Sequence, residues 1–100
     1  MDRQQQAGRT LRLPEILDLT CAGPLAESFR ALRGFELSVD AAGVQRVGAQ
    51  CAQVIMSAVA TWKADEVALC VTDPSPEFSE TFSLLGIGLA EISTEEEAAQ

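Results

Sequence analysis

The side chains that could act chemically are few and lie far apart in this sequence. Asp40 and Asp73 each follow a stretch of alternating apolar residues, so they would stand at strand ends and could imitate the acidic pocket of a phosphate-receiver domain. Such a pocket needs further acidic residues and a suitably placed lysine, whereas Lys63 falls on the surface of a predicted helix. We therefore interpret Asp40 and Asp73 as turn and cap residues, whose carboxylates hydrogen-bond nearby backbone.

Sequence motifs of common enzymes are absent. The sequence has no histidine and no tyrosine, which removes the commonest general acid–base group. It has no nucleophile elbow and no P-loop. Gly86 and Gly88 are spaced like the first glycines of a dinucleotide-binding loop, but they follow a predicted helix, whereas such a loop follows a strand. We expect no enzymatic activity and no cofactor.

The three cysteines do not form a metal-binding pattern. Cys21, Cys51 and Cys70 are widely spaced, no C-x-x-C occurs, and no histidine could complete a ligand set. Cys51 and Cys70 fall on segments that we expect to be largely buried, where cysteine behaves as a small hydrophobic residue. We predict no metal site.

Charge and length limit the possible partners. The 100 residues suit one domain, and the net charge of -8, from 15 acidic and 7 basic side chains, argues against binding nucleic acid or an anionic membrane surface. No apolar run reaches the roughly 18 residues of a membrane span, and residues 1–10 lack the apolar core of a signal peptide. We expect a cytoplasmic protein, and the sequence does not indicate its oligomeric state.

The segment Asp40–Trp62 predicts the end of a strand, a tight turn and an amphipathic helix from about residue 48 to 64. Its apolar residues recur at the spacing of one helical face. These residues are Cys51, Val54, Ile55, Ala58 and Trp62. The opposite face is polar, with Gln50, Gln53, Ser57, Thr61 and Lys63.

The remaining elements alternate between strands and helices. Around Pro14 we predict a short edge strand or hairpin, then a helix capped by Thr20 with Pro24 in its first turn and Gly34 at its end. Alternating apolar residues predict neighbouring strands at 35–39 and 67–71. Ser75 should cap a helix whose inner face is Phe78, Phe82 and Leu85 and which Gly86 ends, and Ile87, Leu89 and Ile92 suggest a last strand.

This order predicts a two-layer α/β domain: a mixed sheet of about four to five strands covered by helices. We expect a disordered tail at residues 1–9, the domain at 10–92, and an acidic tail or short helix capped by Ser93 at 93–100.

Two phrases and their order resemble the STAS domain, the fold of bacterial anti-sigma factor antagonists. LPEILDLTCAGPL is similar to the first strands and helix of that family, and DAAGVQRVGAQCAQVI is similar to the segment that carries its Asp-Ser-Ser-Gly motif. By alignment Gly48, Ala49, Gln50 and Cys51 take the four motif positions. The serine that kinases phosphorylate in the antagonists corresponds to Gln50, so the resemblance does not extend to that switch.

A subgroup of the family is more similar still. Small STAS proteins encoded beside chemotaxis genes in α-proteobacteria share both phrases, a late helix tryptophan such as Trp62, and a turn like DPSPEF at residues 73–78. This resemblance implies a non-catalytic adaptor that binds the chemotaxis histidine kinase and modulates phosphotransfer. An anti-sigma factor antagonist, a STAS subunit of a lipid-transport ATPase and an unrelated small enzyme of this fold remain alternatives.

The resemblance and the local chemistry together predict a partner-binding surface at the start of the central helix. A glycine-containing loop lets another backbone approach, and a helix N-terminus offers unpaired N–H groups. Arg46 is either a solvated loop residue or an interface residue, and arginine is enriched at interface hot spots. The candidate partner-binding residues are Arg46, Val47, Gly48, Ala49, Gln50 and Gln53.

Overall fold

The computed structural model describes residues 8–86, which form five strands and three helices. The strands are β1 (Arg9–Arg12), β2 (Ile16–Leu17), β3 (Leu37–Asp40), β4 (Arg46–Val47) and β5 (Leu69–Thr72). The helices are α1 (Leu19–Ala31), α2 (Ala49–Asp65) and α3 (Pro76–Leu84). The predicted α/β class and two-layer architecture are confirmed.

The larger sheet contains three parallel strands in the order β1-β3-β5. Leu37 of β3 stands opposite Leu69 of β5, and Val39 stands opposite Val71. Leu37, Val39 and Leu69 are buried, because alternate residues of a strand point to the same face of the sheet. The prediction that these two strands are neighbours is confirmed.

Strands β2 and β4 form a separate two-stranded parallel sheet. They follow β1 and β3 after short breaks of three residues at 13–15 and five at 41–45. Across the breaks Leu13 N–H donates to the Asp40 carbonyl, and the Gln45 and Arg46 N–H groups donate to the Glu15 carbonyl at 2.7 and 3.2 Å. The β2–β4 pair therefore follows the β1–β3 pair along the same strand direction. The alternative of a hairpin around Pro14 is wrong, because β1 pairs with β3 and β2 with β4. The strands of residues 8–86 form two sheets rather than one, and Pro14, which has no N–H to donate, lies in the break between β1 and β2.

Helix α1 begins earlier than the sequence suggested. Its N-cap is Asp18, not Thr20: the Asp18 carboxylate accepts from the Thr20 N–H at 3.1 Å. Pro24 accordingly lies inside the helix rather than in its first turn. Leu25 and Phe29 are buried, as their spacing predicted. The helix ends at a Leu32 cap, and Gly34 adopts its positive φ of 97° two residues later.

Helix α2 is the central packing element. It begins after a Gly48 N-cap and ends at Glu66, which has a left-handed conformation. Its buried residues are Cys51, Ala52, Ile55, Ala58, Val59 and Trp62, with Val54 half-buried. The predicted apolar stripe is therefore confirmed and is wider than its original five positions. Trp62 is 2% exposed, its indole N–H donates to the Phe35 carbonyl at 2.8 Å, and its ring meets Phe29 edge-on.

Helix α3 confirms the predicted Ser75 cap. The Ser75 hydroxyl accepts from the Phe78 N–H at 3.0 Å and donates to the Val44 carbonyl at 2.6 Å, so it ties the helix to the core. Phe78 and Phe82 are fully buried and stacked. Leu85 was predicted on the same inner face, but it is 50% exposed because the helix ends at Leu84. Gly86 has a positive φ of 80° where the chain leaves the helix.

Several predicted features lie outside the described residues. They are most of the N-terminal tail, the last strand at Ile87–Ile92 and the acidic tail after Ser93. Arg9, at the edge of the predicted tail, already belongs to β1, while the other domain boundaries remain predictions. Within residues 8–86, no helix combines the length and the apolar composition that a membrane crossing requires.

Candidate protein-interaction site

The starts of α1 and α2 lie side by side, because each helix follows one strand of the β2–β4 pair. Ile16 is in register with Arg46, and Leu17 with Val47. One residue separates each strand from its helix, Asp18 before α1 and Gly48 before α2. The Gly48 N–H donates to the Leu17 carbonyl at 2.8 Å, which holds the two units together at this point.

Gly48 is needed for space rather than for an unusual backbone conformation. Its φ of -86° and ψ of 164° suit any residue. A Cβ at this position, however, would stand 3.3 Å from the Leu17 carbonyl oxygen and 4.0 Å from the Asp18 Cα. Gly48 therefore lets the end of β2 lie close to the start of α2. The sequence by itself predicts only that this glycine leaves room for a partner.

The N-terminus of α2 is open to the outside. Within the described part of the chain, no side chain accepts a hydrogen bond from its first N–H groups, and its first turn has no acidic residue. The earliest bond within the helix runs from the Ala52 N–H to the Gly48 carbonyl at 3.0 Å. Unpaired N–H groups and the helix dipole give this end a partial positive charge. It can therefore accept an acidic group from another molecule.

The structure brings the six predicted site residues together around this helix start. Four are exposed and two are half-buried. The exposed residues are Arg46, Ala49, Gln50 and Gln53, and the half-buried ones are Val47 and Gly48. Among residues 8–86, Arg46 makes no ion pair, so its guanidinium is available to a partner. Their shared location is compatible with one surface, and their role in binding stays a prediction.

A comparison with protein-family models identifies the family. The model described as "Mlab, STAS domain" matches residues 1–90. The chain belongs to the STAS domain family. No curated protein and no solved structure matches it. STAS domains are generally non-enzymatic and commonly mediate interactions between proteins, and this general role applies to the chain.

This STAS domain has an apolar extension of the site that the sequence patterns did not indicate. Ile16 is 37% exposed and Leu19 is 68% exposed. Ile16 is the register partner of Arg46, and Leu19 opens α1 next to Asp18. Helical periodicity missed them because Ile16 lies in a two-residue strand and Leu19 on the outer side of a first turn. Their proximity to Arg46 and Gly48 adds exposed apolar surface to the site.

Cys51, which stands where the family's Asp-Ser-Ser-Gly motif has its glycine, has a structural role. Cys51 is fully buried, and its thiol donates to the Asp18 carbonyl at 3.3 Å. Burial raises the pKa of the Cys51 thiol, and the nearby Cys21 and Asp18 raise it further. A raised pKa keeps the thiol protonated and weakly nucleophilic. Cys21 takes the equivalent position in α1, where its thiol donates to the Ile16 carbonyl at 3.3 Å.

The carboxylates at the ends of the larger sheet are not arranged as a catalytic pocket. Asp40 accepts from the Ala42 N–H at 3.0 Å and lies 3.6 Å from the Arg12 guanidinium. Asp73 sits in a turn with a positive φ of 49°. The interpretation of Asp40 as a turn residue is confirmed by its bond to the backbone two residues on.

Proposed function

We propose that this STAS domain is a non-catalytic adaptor that binds a chemotaxis histidine kinase in the cytoplasm and modulates its phosphotransfer. The observation that carries the proposal is the open start of α2, with unpaired N–H groups beside an exposed Arg46 that has no ion pair among the described residues. The resemblance of the two long phrases and of DPSPEF to chemotaxis-associated STAS proteins supports the choice of partner.

The adaptor would bind through complementary charge and shape. A carboxylate of the kinase would accept from the α2 N–H groups and pair with Arg46, which adds positive charge at the same place. Ile16 and Leu19 would cover an apolar part of the kinase, and their exposed area would be removed from water. Binding would favour the kinase conformation that presents this acidic segment, which is how an adaptor without catalytic groups can alter phosphate flow.

Two substitutions at the helix start test the proposal. Arg46→Ala removes the positive charge that would pair with a carboxylate of the kinase. Gly48→Glu places a bulky acidic group over the N–H groups. Each should weaken binding to the purified kinase by about 1–2 kcal/mol or more, as hot-spot substitutions do. Isothermal titration calorimetry measures the affinity, and circular dichroism checks the fold.

Gly48→Ala is the matched control for Gly48→Glu, because it introduces the same Cβ contact with the Leu17 carbonyl without the charge. The surface would lie elsewhere if Arg46→Ala and Gly48→Glu both bound the kinase like the wild type. A wild-type protein that did not bind any chemotaxis kinase would refute the proposal itself.

We also predict that the site is not a phosphorylation switch. Gln50 stands at the family's serine position, and residues 41–53 contain no serine, threonine or tyrosine. Mass spectrometry after incubation with ATP and an anti-sigma-type kinase should therefore find no phosphate on this segment. Gln50→Ser restores the hydroxyl on an exposed position and is the positive comparison. Stoichiometric phosphate on residues 41–53 of the wild type would contradict the prediction.

A STAS subunit of a lipid-transport ATPase is the second candidate, because such a subunit need not be phosphorylated and this segment has no hydroxyl. A classical anti-sigma factor antagonist is less well supported for the same reason. The neighbouring genes separate these candidates, since they would encode chemotaxis proteins in one case and transport components in the other. Co-purification from the native organism provides the biochemical test.

A further inference from the structure

The exposed face of α2 carries no charge along most of its length. Residues 49–62 contain no Asp, Glu, Lys or Arg, although 22% of the chain is charged. Gln50, Gln53, Ser57 and Ala60 in this segment are all exposed. A solvent-facing helix surface normally carries charged residues, whereas the centres of protein interfaces are depleted of them. The composition therefore suggests that a partner covers more of α2 than its first turn.

A groove lies between α1 and α2 next to this face, with a cavity volume of about 430 Å³. We call it the α1–α2 groove. Phe29 and Trp62 contribute aromatic surface, and both residues are otherwise buried. Gln53, Ser57 and Thr61 line the side formed by α2, at the spacing of successive helical turns. Because Gln53 also belongs to the predicted partner surface, the groove continues directly from it.

The groove is already formed in the free chain. The Phe29 and Trp62 ring centroids are 6.1 Å apart at an interplanar angle of 72°, and the Trp62 indole is fixed by its bond to the Phe35 carbonyl. At one end the Arg33 guanidinium donates two hydrogen bonds to Asp65, at 2.8 and 3.0 Å, and so connects the end of α1 to the end of α2. A preformed groove loses little conformational entropy when a partner binds.

The charges beside the groove favour an acidic partner. Among residues 8–86, the charged side chains that line it are those of Arg30 and Arg33. Arg30 pairs with Glu27 at 2.8 Å and Arg33 pairs with Asp65, but a guanidinium has five N–H donors and each keeps several for another acceptor. In a chain with a net charge of -8, a groove whose charged lining residues within 8–86 are two arginines is a distinct recognition feature, with one carboxylate partner already beside each arginine.

The predicted partner-binding surface at the start of α2 is also too small to form a stable interface by itself. A stable protein interface involves about 20–30 residues on each side, and the surface from Arg46 to Gln53 with Ile16 and Leu19 offers far fewer. The α1–α2 groove is the concave surface that adjoins it. An apolar floor flanked by polar and positive residues suits a helix with an apolar stripe and acidic neighbours.

We infer that the kinase-binding surface continues along the uncharged face of α2 into the α1–α2 groove, where an amphipathic helix of the kinase docks. An aliphatic side chain of that helix rests over Phe29 and Trp62, and its carboxylates pair with Arg30 and Arg33. The inference rests on the proposed function and specifies which part of the kinase meets this domain.

Matched pairs of substitutions test the inference by titration calorimetry with the same purified kinase. Ser57→Arg obstructs the groove, whereas Ser83→Arg makes the same substitution at an exposed position of α3, outside the α2 face and the groove. Ser57→Arg should weaken binding roughly tenfold or more, as a hot-spot substitution does. Ser83→Arg should change it by less than about twofold, as ordinary surface substitutions do.

A charge-reversal pair tests the acidic side of the partner. Arg30→Glu replaces a positive charge of the groove with a negative one, and Arg12→Glu makes the same change at another exposed, ion-paired arginine, at the larger sheet. Arg30→Glu should weaken kinase binding roughly tenfold, with Arg12→Glu within about twofold. In parallel, the NMR signal of the Trp62 indole N–H should shift when the kinase is added. Circular dichroism and thermal melting confirm that each variant is folded.

The outcomes separate this inference from the proposed function. If the wild type does not bind the kinase, the proposed function fails and the inference with it. If Arg46→Ala weakens binding while Ser57→Arg and Arg30→Glu bind like the wild type, only the groove inference fails. The inference is also overturned if deletion of residues 93–100 shifts the Trp62 indole signal of the free protein, since the chain's own acidic segment would then be the occupant. Sedimentation showing a dimer that Ser57→Arg dissociates would assign the groove to a second copy.

Discussion

The two neighbouring helix starts have the same backbone arrangement but different chemistry. At α1 the Asp18 carboxylate accepts from the Thr20 N–H at 3.1 Å and from the Thr20 hydroxyl at 2.6 Å. At α2 the equivalent position is Gly48, which offers no side-chain acceptor. The first helix therefore satisfies part of its own N-terminus with its cap side chain, whereas the Gly48 cap of the second helix has no side chain to do so.

The uncapped helix is the one that the core stabilises more. Six residues of α2 are buried, including Ile55 and Trp62, against two residues of α1. Most helical stability in proteins comes from the packing of an apolar face, so α2 can retain an open N-terminus without unfolding. The difference shows that a helix N-terminus without a side-chain cap is compatible with a stable helix when packing elsewhere on that helix compensates.

The largest effect is expected from giving α2 the cap that α1 has. Gly48→Asp places a carboxylate where it can accept from the first N–H groups and repel an acidic partner. Binding to the kinase should fall roughly tenfold or more, measured by calorimetry, while Gly48→Ala separates the effect of the added Cβ near Leu17. If the Asp and Ala variants had the same affinity, the open N–H groups would not be part of the binding site.

Removal of the side-chain cap of α1 should affect the stability of the fold more than binding. Asp18→Ala removes the acceptor for both Thr20 groups, so we expect a lower melting temperature in thermal denaturation. Asp18→Asn keeps a side-chain acceptor and should melt close to the wild type, since Asn caps about as well as Asp. Equal melting of Asp18→Ala and the wild type would show that the cap contributes little to this fold.

The smallest expected effect is a lowered pKa of Asp18, seen when the protein is titrated with acid. Hydrogen bonds from the Thr20 side chain lower the pKa of Asp18, and the backbone N–H of Thr20 acts in the same direction. A folded pKa below the unfolded one means that this contribution is present above the unfolded pKa and is lost as pH falls through the folded pKa. The Thr20 amide NMR shift should therefore follow a transition below the usual aspartate range.

The α2 start provides the internal comparison for that titration. Its first turn has no acidic residue, so the Gln50 amide should shift much less than the Thr20 amide over the same pH range. A second acidic transition is expected at Asp65, whose pKa is lowered by the hydrogen bonds from Arg33. A Thr20 amide that titrated at the ordinary aspartate pKa would argue against the Asp18–Thr20 hydrogen bonds in solution.

Local sequence patterns determined much of this protein. The stripe from Cys51 to Trp62 and the Ser75 cap depend on residues close together in the chain, so periodicity and capping rules were sufficient to predict them. The same holds for the alternating strands at Leu37 and Leu69, which require only one buried face. The position of the candidate site also followed from sequence, because Arg46 to Gln53 is one continuous segment.

Tertiary structure decided the features that depend on distant residues. The separation of β2 and β4 from the larger sheet and the contact between Gly48 and the Leu17 carbonyl arise from segments about thirty residues apart, a relation that no local pattern encodes. The α1–α2 groove likewise exists only because Phe29 and Trp62 from two helices meet. Sequence alone therefore specified most of the three helices and of the strands at Leu37 and Leu69. It placed Arg46 in a loop, whereas Arg46 and Val47 form β4, because that short strand exists only through its pairing with β2.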